Sequence, residues 1–128
     1  MISKRKFILI LTLAFSSILL VSFLFTTKLH LFWSTPWIDV PNHFLGGLIL
    51  GLVGFLVLGH HTRKISPRKK VTELLVFTLV IGGLWEVYEE VTGLTSLSDS
   101  VYWIDTIGDF IADALGALAG YYYFLKEN

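Results

Sequence analysis

Apolar residues in this chain come in long unbroken stretches rather than in alternation with polar ones. Four stand out, at about Phe7 to Phe25, His43 to Gly59, Val71 to Tyr88 and Ile104 to Leu125. Each approaches the roughly 17–25 residues that a bilayer-crossing helix needs. Lipid admits only structures that satisfy every backbone polar group internally, which means helices or closed barrels. Barrel strands alternate apolar and polar positions, and these runs do not. The pattern predicts a single all-α domain, an integral membrane four-helix bundle with helices at about 7–26, 42–60, 71–91 and 104–125. The short polar connections between runs make chain neighbours antiparallel.

Composition sharpens this. The 128 residues are 54% hydrophobic and only 16% charged, against roughly 25% charged in an ordinary soluble domain. That excludes disorder. A net charge of zero gives no field for nucleic acid, and no nucleic-acid motif, phosphate-cradling glycine loop or nucleophile elbow is present. Cysteine is absent, which removes disulfides, thiol nucleophiles and Cys-based metal sites.

Lys and Arg set the orientation. Lys4, Arg5 and Lys6 precede the first run; Arg63, Lys64, Arg68, Lys69 and Lys70 fill the middle loop; Lys126 follows the last run; Lys28 is alone at the opposite end. The positive-inside rule puts both termini and the middle loop in the cytoplasm, giving a multi-pass protein of the plasma (inner) membrane. Trp33, Trp37, Tyr102 and Trp103 then form an extracytoplasmic aromatic belt, and Tyr121, Tyr122 and Tyr123 mark the other interface. The first run has the basic start of a secretory signal. It exceeds the usual apolar core of roughly 7–15 residues, and no small-residue cleavage site follows, so an uncleaved anchor is expected. His30, His60 and His61 read as solvated loop residues. The basic loop also suits contact with anionic lipid headgroups.

The acids gather at the other side. Asp39 and His43 open the second run, Glu86, Glu89 and Glu90 close the third, and Asp105, Asp109 and Asp113 enter the fourth. At 1.5 Å per residue Asp113 lies roughly 12 Å along its helix from Asp105, past the headgroup boundary. The faces agree as well. Positions 105, 109, 113, 116 and 120 form one stripe of three Asp and two Gly, and 43, 47, 51 and 54 form a stripe of one His and three Gly. Gly82, Glu86 and Gly93 align on the third helix. Small residues let membrane helices approach closely, so these stripes are expected to meet one another. Gly47 and Gly51 suit tight packing within the chain or an oligomer through the Gly-rich second helix. The first helix, with only Ser, Thr and apolar side chains, reads as scaffold.

Seven carboxylates and one imidazole thus converge with no Lys or Arg at their depth. Burial and like charge both oppose ionisation, so the acids must share protons, contact water or coordinate a cation. Asp39/His43, Glu86/Glu90 and Asp109/Asp113 are i,i+4 pairs able to offer two ligands each. The expected ligands of a divalent metal ion are Asp39, His43, Glu86, Glu90, Asp105, Asp109 and Asp113, with Glu86 and Asp109 as catalytic candidates. Oxygen-rich sites suit Mg, Ca or Mn, and one His also admits Zn or Fe. Asp39 and Asp105 also suit N-caps, each following a Trp-Ile pair, with Pro41 just inside the second helix. Glu89 reads as a solvated acid at headgroup level.

Trp37-Ile38-Asp39 matches Trp103-Ile104-Asp105, His43-Phe44 matches Asp109-Phe110, and Gly54 and Gly120 keep the spacing. This points to a duplicated helix hairpin in which the second and fourth helices run in the same direction.

Asp39-x3-His43-Phe44, Trp85-Glu86-x-x-Glu89 and Asp105-x3-Asp109-x3-Asp113-x-x-Gly116-Ala117 together resemble the YjdF-like family of small bacterial inner-membrane proteins, whose function is not known. At greater distance the order is similar to VanZ-like membrane proteins, without their Arg-containing segment before the last helix. The latter resemblance implies a cell-envelope role. Three functions fit. The first is a metal-dependent membrane hydrolase or transferase acting on a lipid or lipid-linked envelope substrate. The second is a cation or proton carrier, disfavoured because the other halves of the helices hold no ionisable residue to continue a path. The third is a non-catalytic bundle whose acids hold a structural cation or serve a partner.

Overall fold

The computed structural model describes residues 2–61 and 65–125. Arg63, Lys64 and Lys126 lie outside the described residues, as do the side chains of Trp33, His60 and His61. Four long helices make up the described chain: α1 (Lys4–Lys28), α2 (Asp39–His61), α3 (Pro67–Thr92) and α4 (Tyr102–Leu125). A helical turn at Leu31–Ser34 and a 3-10 turn at Pro36–Ile38 connect α1 to α2.

The helix ends explain where the apolar pattern misjudged boundaries. Ser66 accepts the Lys69 N–H and Pro67 takes the first helical position, so α3 begins ahead of its apolar run and includes the basic residues. Pro there loses no bond, because first-turn N–H groups have no helical partner. Asp39 is already helical (φ −75°, ψ −31°), and the Asp105 N–H bonds to the Val101 carbonyl. Both acids therefore sit inside their first turns and are not N-caps, which frees their carboxylates. Gly93, at φ +74°, ends α3 in the left-handed conformation that favours glycine.

The largest interface joins α2 to α4, and it is backbone against backbone. A Cβ on Gly47 would strike the Asp113 carbonyl, one on Gly51 the Ala117 carbonyl, and one on Gly116 the Phe44 carbonyl. Both partners advance together along the chain, so the two helices run parallel. Gly47 facing Asp113 and Gly51 facing Ala117 keep the spacing that relates Asp39 to Asp105. The helices thus cross at equivalent positions of the sequence match. Outside this pair, α1 packs chiefly on α2 and α3 on α4.

This is a multi-pass membrane protein. Three helical stretches, Lys4–Lys28, Asp39–Val57 and Pro67–Thr92, are long and apolar enough to cross a membrane. Helix α4 carries three Asp, but turns Ile104, Ile107, Ile111 and Leu115 outward and its acids inward. Apolar exposure on this scale would be a liability in water and is what lipid requires. Trp37 and Trp103 are exposed, as a belt needs, whereas Tyr102 is buried. Tyr121 is also buried, edge-on to Phe55 at 6.3 Å, while Tyr122 and Tyr123 face outward.

Candidate metal centre

At the end of the bundle away from the termini, five acids and one histidine are packed out of contact with solvent. Asp39, His43, Glu86, Glu89, Asp109 and Asp113 are each no more than 6% exposed. Helices α2, α3 and α4 all contribute; α2 meets α4 at Gly47 and Gly116, and α3 meets α4 at Gly82, which brings the side chains to one place.

His43 is the hub. Its Nδ1 lies 3.2 Å from Asp113 Oδ2. Its Nε2 faces Asp39 Oδ2 at 3.4 Å, Glu86 Oε1 at 3.6 Å and Asp109 Oδ2 at 3.9 Å. Donor atoms of His43, Glu86 and Asp109 lie within 4.8 Å of one another, and so do those of Asp39, His43 and Glu89. Atoms bound to one ion at roughly 2.0–2.6 Å can be no farther apart than twice that bond, about 5 Å. Both groups meet that limit.

Neighbouring side chains orient the acids. Thr106 Oγ1 donates to Glu86 Oε2 at 3.0 Å. Trp85 Nε1 donates to Glu89 Oε1 at 2.8 Å, which gives the Trp85-Glu86-x-x-Glu89 spacing a physical meaning: the indole reaches one turn along its own helix. Gly82 leaves room for Asp113, whose Oδ2 occupies the place a Cβ would take. Even so, four atoms of the cluster are buried without a hydrogen-bond partner: His43 Nε2, Glu86 Oε1, Glu89 Oε2 and Asp109 Oδ1. Buried polar atoms are nearly always paired. The cluster thus keeps hydrogen-bonding capacity that its own side chains do not use.

Two expectations are corrected. Glu89 is not a solvated acid but fully buried, and Glu90 does not join the cluster. Glu90 is half-buried, and its Oε2 accepts the Leu97 N–H at 3.0 Å, holding the loop that follows α3. The reason is helical drift. The buried stripe of α3 runs Leu74, Thr78, Gly82, Glu86, Glu89. Steps of four overshoot a turn by about 40°, and a step of three brings the stripe back. Asp105 is half-buried and belongs to neither compact group among the described residues.

The sequence also conceals three contributors. Thr106 and Trp85 act through Glu86 and Glu89. Asn42, 7% exposed, sits beside His43 and accepts at Oδ1 from Ser22 of α1 at 2.6 Å, while its Nδ2 is buried and unpaired. A polar residue opening the second predicted helix was the available signal. Helix α1 is therefore more than scaffold, since it orients a residue next to the hub.

A family model described as "Predicted membrane protein (DUF2238)" matches residues 1–127. The chain belongs to that family. Neither the curated proteins nor the solved structures yield a match.

Proposed function

For this member of the DUF2238 family, we propose a divalent-cation site centred on His43 Nε2, with Asp39, Glu86 and Asp109 as carboxylate ligands and Glu89 beside them. The observation that carries the reading is the buried Nε2, which makes no hydrogen bond of its own and faces three carboxylate oxygens at 3.4–3.9 Å. An imidazole that donates from Nδ1 to Asp113 presents its Nε2 lone pair to that space. A carboxylate on the far nitrogen is the usual support of a metal-bound histidine, fixing its tautomer and ring orientation. Asp113 is thus an orienting partner rather than a ligand. One nitrogen among several oxygens suits Mn, Mg, Zn or Fe.

The cluster lies at the end expected to face away from the cytoplasm, with Asp113 expected past the headgroup boundary. A cation there would polarise a phosphoryl or carbonyl oxygen or activate water, and an acid not engaged as a ligand would serve as general base. We assign the protein to metal-dependent hydrolysis or transfer on a lipid or lipid-linked envelope substrate. The order of the Asp/His, Trp-Glu and Asp-rich segments supports kinship with YjdF-like and, more distantly, VanZ-like proteins.

The test is metal analysis of detergent-purified protein beside a Glu86→Gln/Asp109→Asn double variant. Wild type should carry a divalent metal in near-stoichiometric amount and the variant little. Equal, trace contents in both would remove the proposal.

A further inference from the structure

We propose that the cleft between α1 and α3 is a lateral binding site for one acyl chain of a membrane lipid, whose polar group is held at Asn42 beside the His43 cluster. This deepens the cation-site reading by naming its substrate class. A cavity of about 410 Å³ lies here. Its apolar walls include Leu20 of α1, Leu50 of α2 and Ile81 of α3, and its polar end is made by Asn42, His43 and Asp113. Leu20 is 58% and Ile81 36% exposed, so the cavity opens sideways, where a membrane protein meets lipid.

The occupant follows from polarity and length. From Asn42 to Leu50 the α2 axis rises roughly 12 Å, close to one leaflet's share of a hydrocarbon core about 30 Å thick. The cavity is polar at its membrane-surface end and, Ser16 apart, apolar towards the bilayer centre. A lipid in that leaflet has the same order of head and chain, whereas a water-soluble ligand would have to bury its polar groups against Leu50. The independent sign of a ligand is Asn42 Nδ2. It belongs to a side chain more than nine-tenths buried that lines this cavity, and it has no hydrogen-bond partner. A phosphate or ester carbonyl oxygen would accept from it, one residue along the chain from His43.

The full chain reconstituted in nanodiscs of equimolar phosphatidylethanolamine and phosphatidylglycerol can be released into a native mass spectrometer and scored for retained phospholipid. Mn²⁺ binding is read on the same samples by electron paramagnetic resonance. Gly46→Leu fills the cavity from α2, where a Cβ meets nothing nearer than Asp113 Oδ1 at 4.0 Å. Ile81→Trp fills it from α3. Wild type should retain one phospholipid. Each variant should lose more than half of that occupancy while still binding Mn²⁺, and Asn42→Leu should also retain less. Wild type without retained lipid, or equal retention in both cavity-filling variants, overturns the cleft. Retained lipid that the variants lose, without Mn²⁺ binding in wild type, upholds the cleft and overturns the cation site alone.

Discussion

The two ends of the bundle are built on opposite principles. Near the termini the core is apolar: Ile8 and Leu52 pack with Leu11, Phe15, Phe55 and Leu56, and Leu74, Ala117 and Tyr121 pack with Val71 and Phe55. At the other end the buried polar groups are Thr26, Asp39, Asn42, His43, Glu86, Glu89, Thr106, Asp109 and Asp113. Between these regions the buried polar side chain is Thr78. Among the described residues, the apolar half anchors the helices and fully buries no Asp, Glu, Lys, Arg or His. The polar half pays for its chemistry with orphaned donors and acceptors. Both halves depend on the same glycine-lined α2–α4 seam.

Breaking that seam should have the largest effect. Gly51→Leu drives a side chain into the Ala117 carbonyl, and backbone cannot yield as a side-chain tip can. Overpacking typically costs about 1–3 kcal/mol, and this case should exceed that range. Size-exclusion and thermal unfolding in detergent should show loss of the folded species.

Next comes Leu52→Ala, in the apolar half. Deletion of a buried Leu side chain costs about 2–5 kcal/mol, so the melting temperature should fall. The gain on adding metal should match that of wild type, because Leu52 touches none of the cluster. A lost metal response would mean that the halves are not separable.

A smaller effect separates the acids themselves. Asp113→Asn should weaken metal affinity by roughly 10–100-fold, the usual cost of removing a carboxylate behind a ligating histidine. Glu90→Gln, in the loop contact with Leu97, should leave affinity unchanged. Titration with Mn²⁺ compares the two, and equal losses would erase the distinction drawn between Asp113 and Glu90.

How far the sequence reveals this arrangement varies with the kind of information needed. The helices were legible because lipid demands long apolar runs. The inward face of α4 was legible because Asp109, Asp113, Gly116 and Gly120 share one stripe, and only a helix partner could cover it. The choice between Glu89 and Glu90 was not, because both flank Glu86 and the groups that gather with Glu89, Asp39 and His43, lie on another helix. Asn42 stayed hidden for a similar reason: its partner Ser22 lies on another helix, and neither residue carries charge. Asp39 and Asp105 looked like caps because their place in the first turn depends on the turns that precede α2 and α4.

The central claim is that a divalent cation, not shared protons alone, holds the His43 cluster together. Thermal unfolding in detergent tests it most directly, with chelator and then with Mg, Mn, Ca or Zn, at neutral and acidic pH, for wild type and Asp109→Asn. A ligand that binds only the folded state stabilises it by about 2.7 kcal/mol at about one hundred times its Kd. At least one metal should therefore raise the melting temperature of wild type at neutral pH. The gain should shrink in acid, since protonated carboxylates and imidazolium are poor ligands, and should be absent in Asp109→Asn. If no metal stabilises wild type more than Asp109→Asn, the cation site is refuted and the cluster is a hydrogen-bonded network held by its own protons.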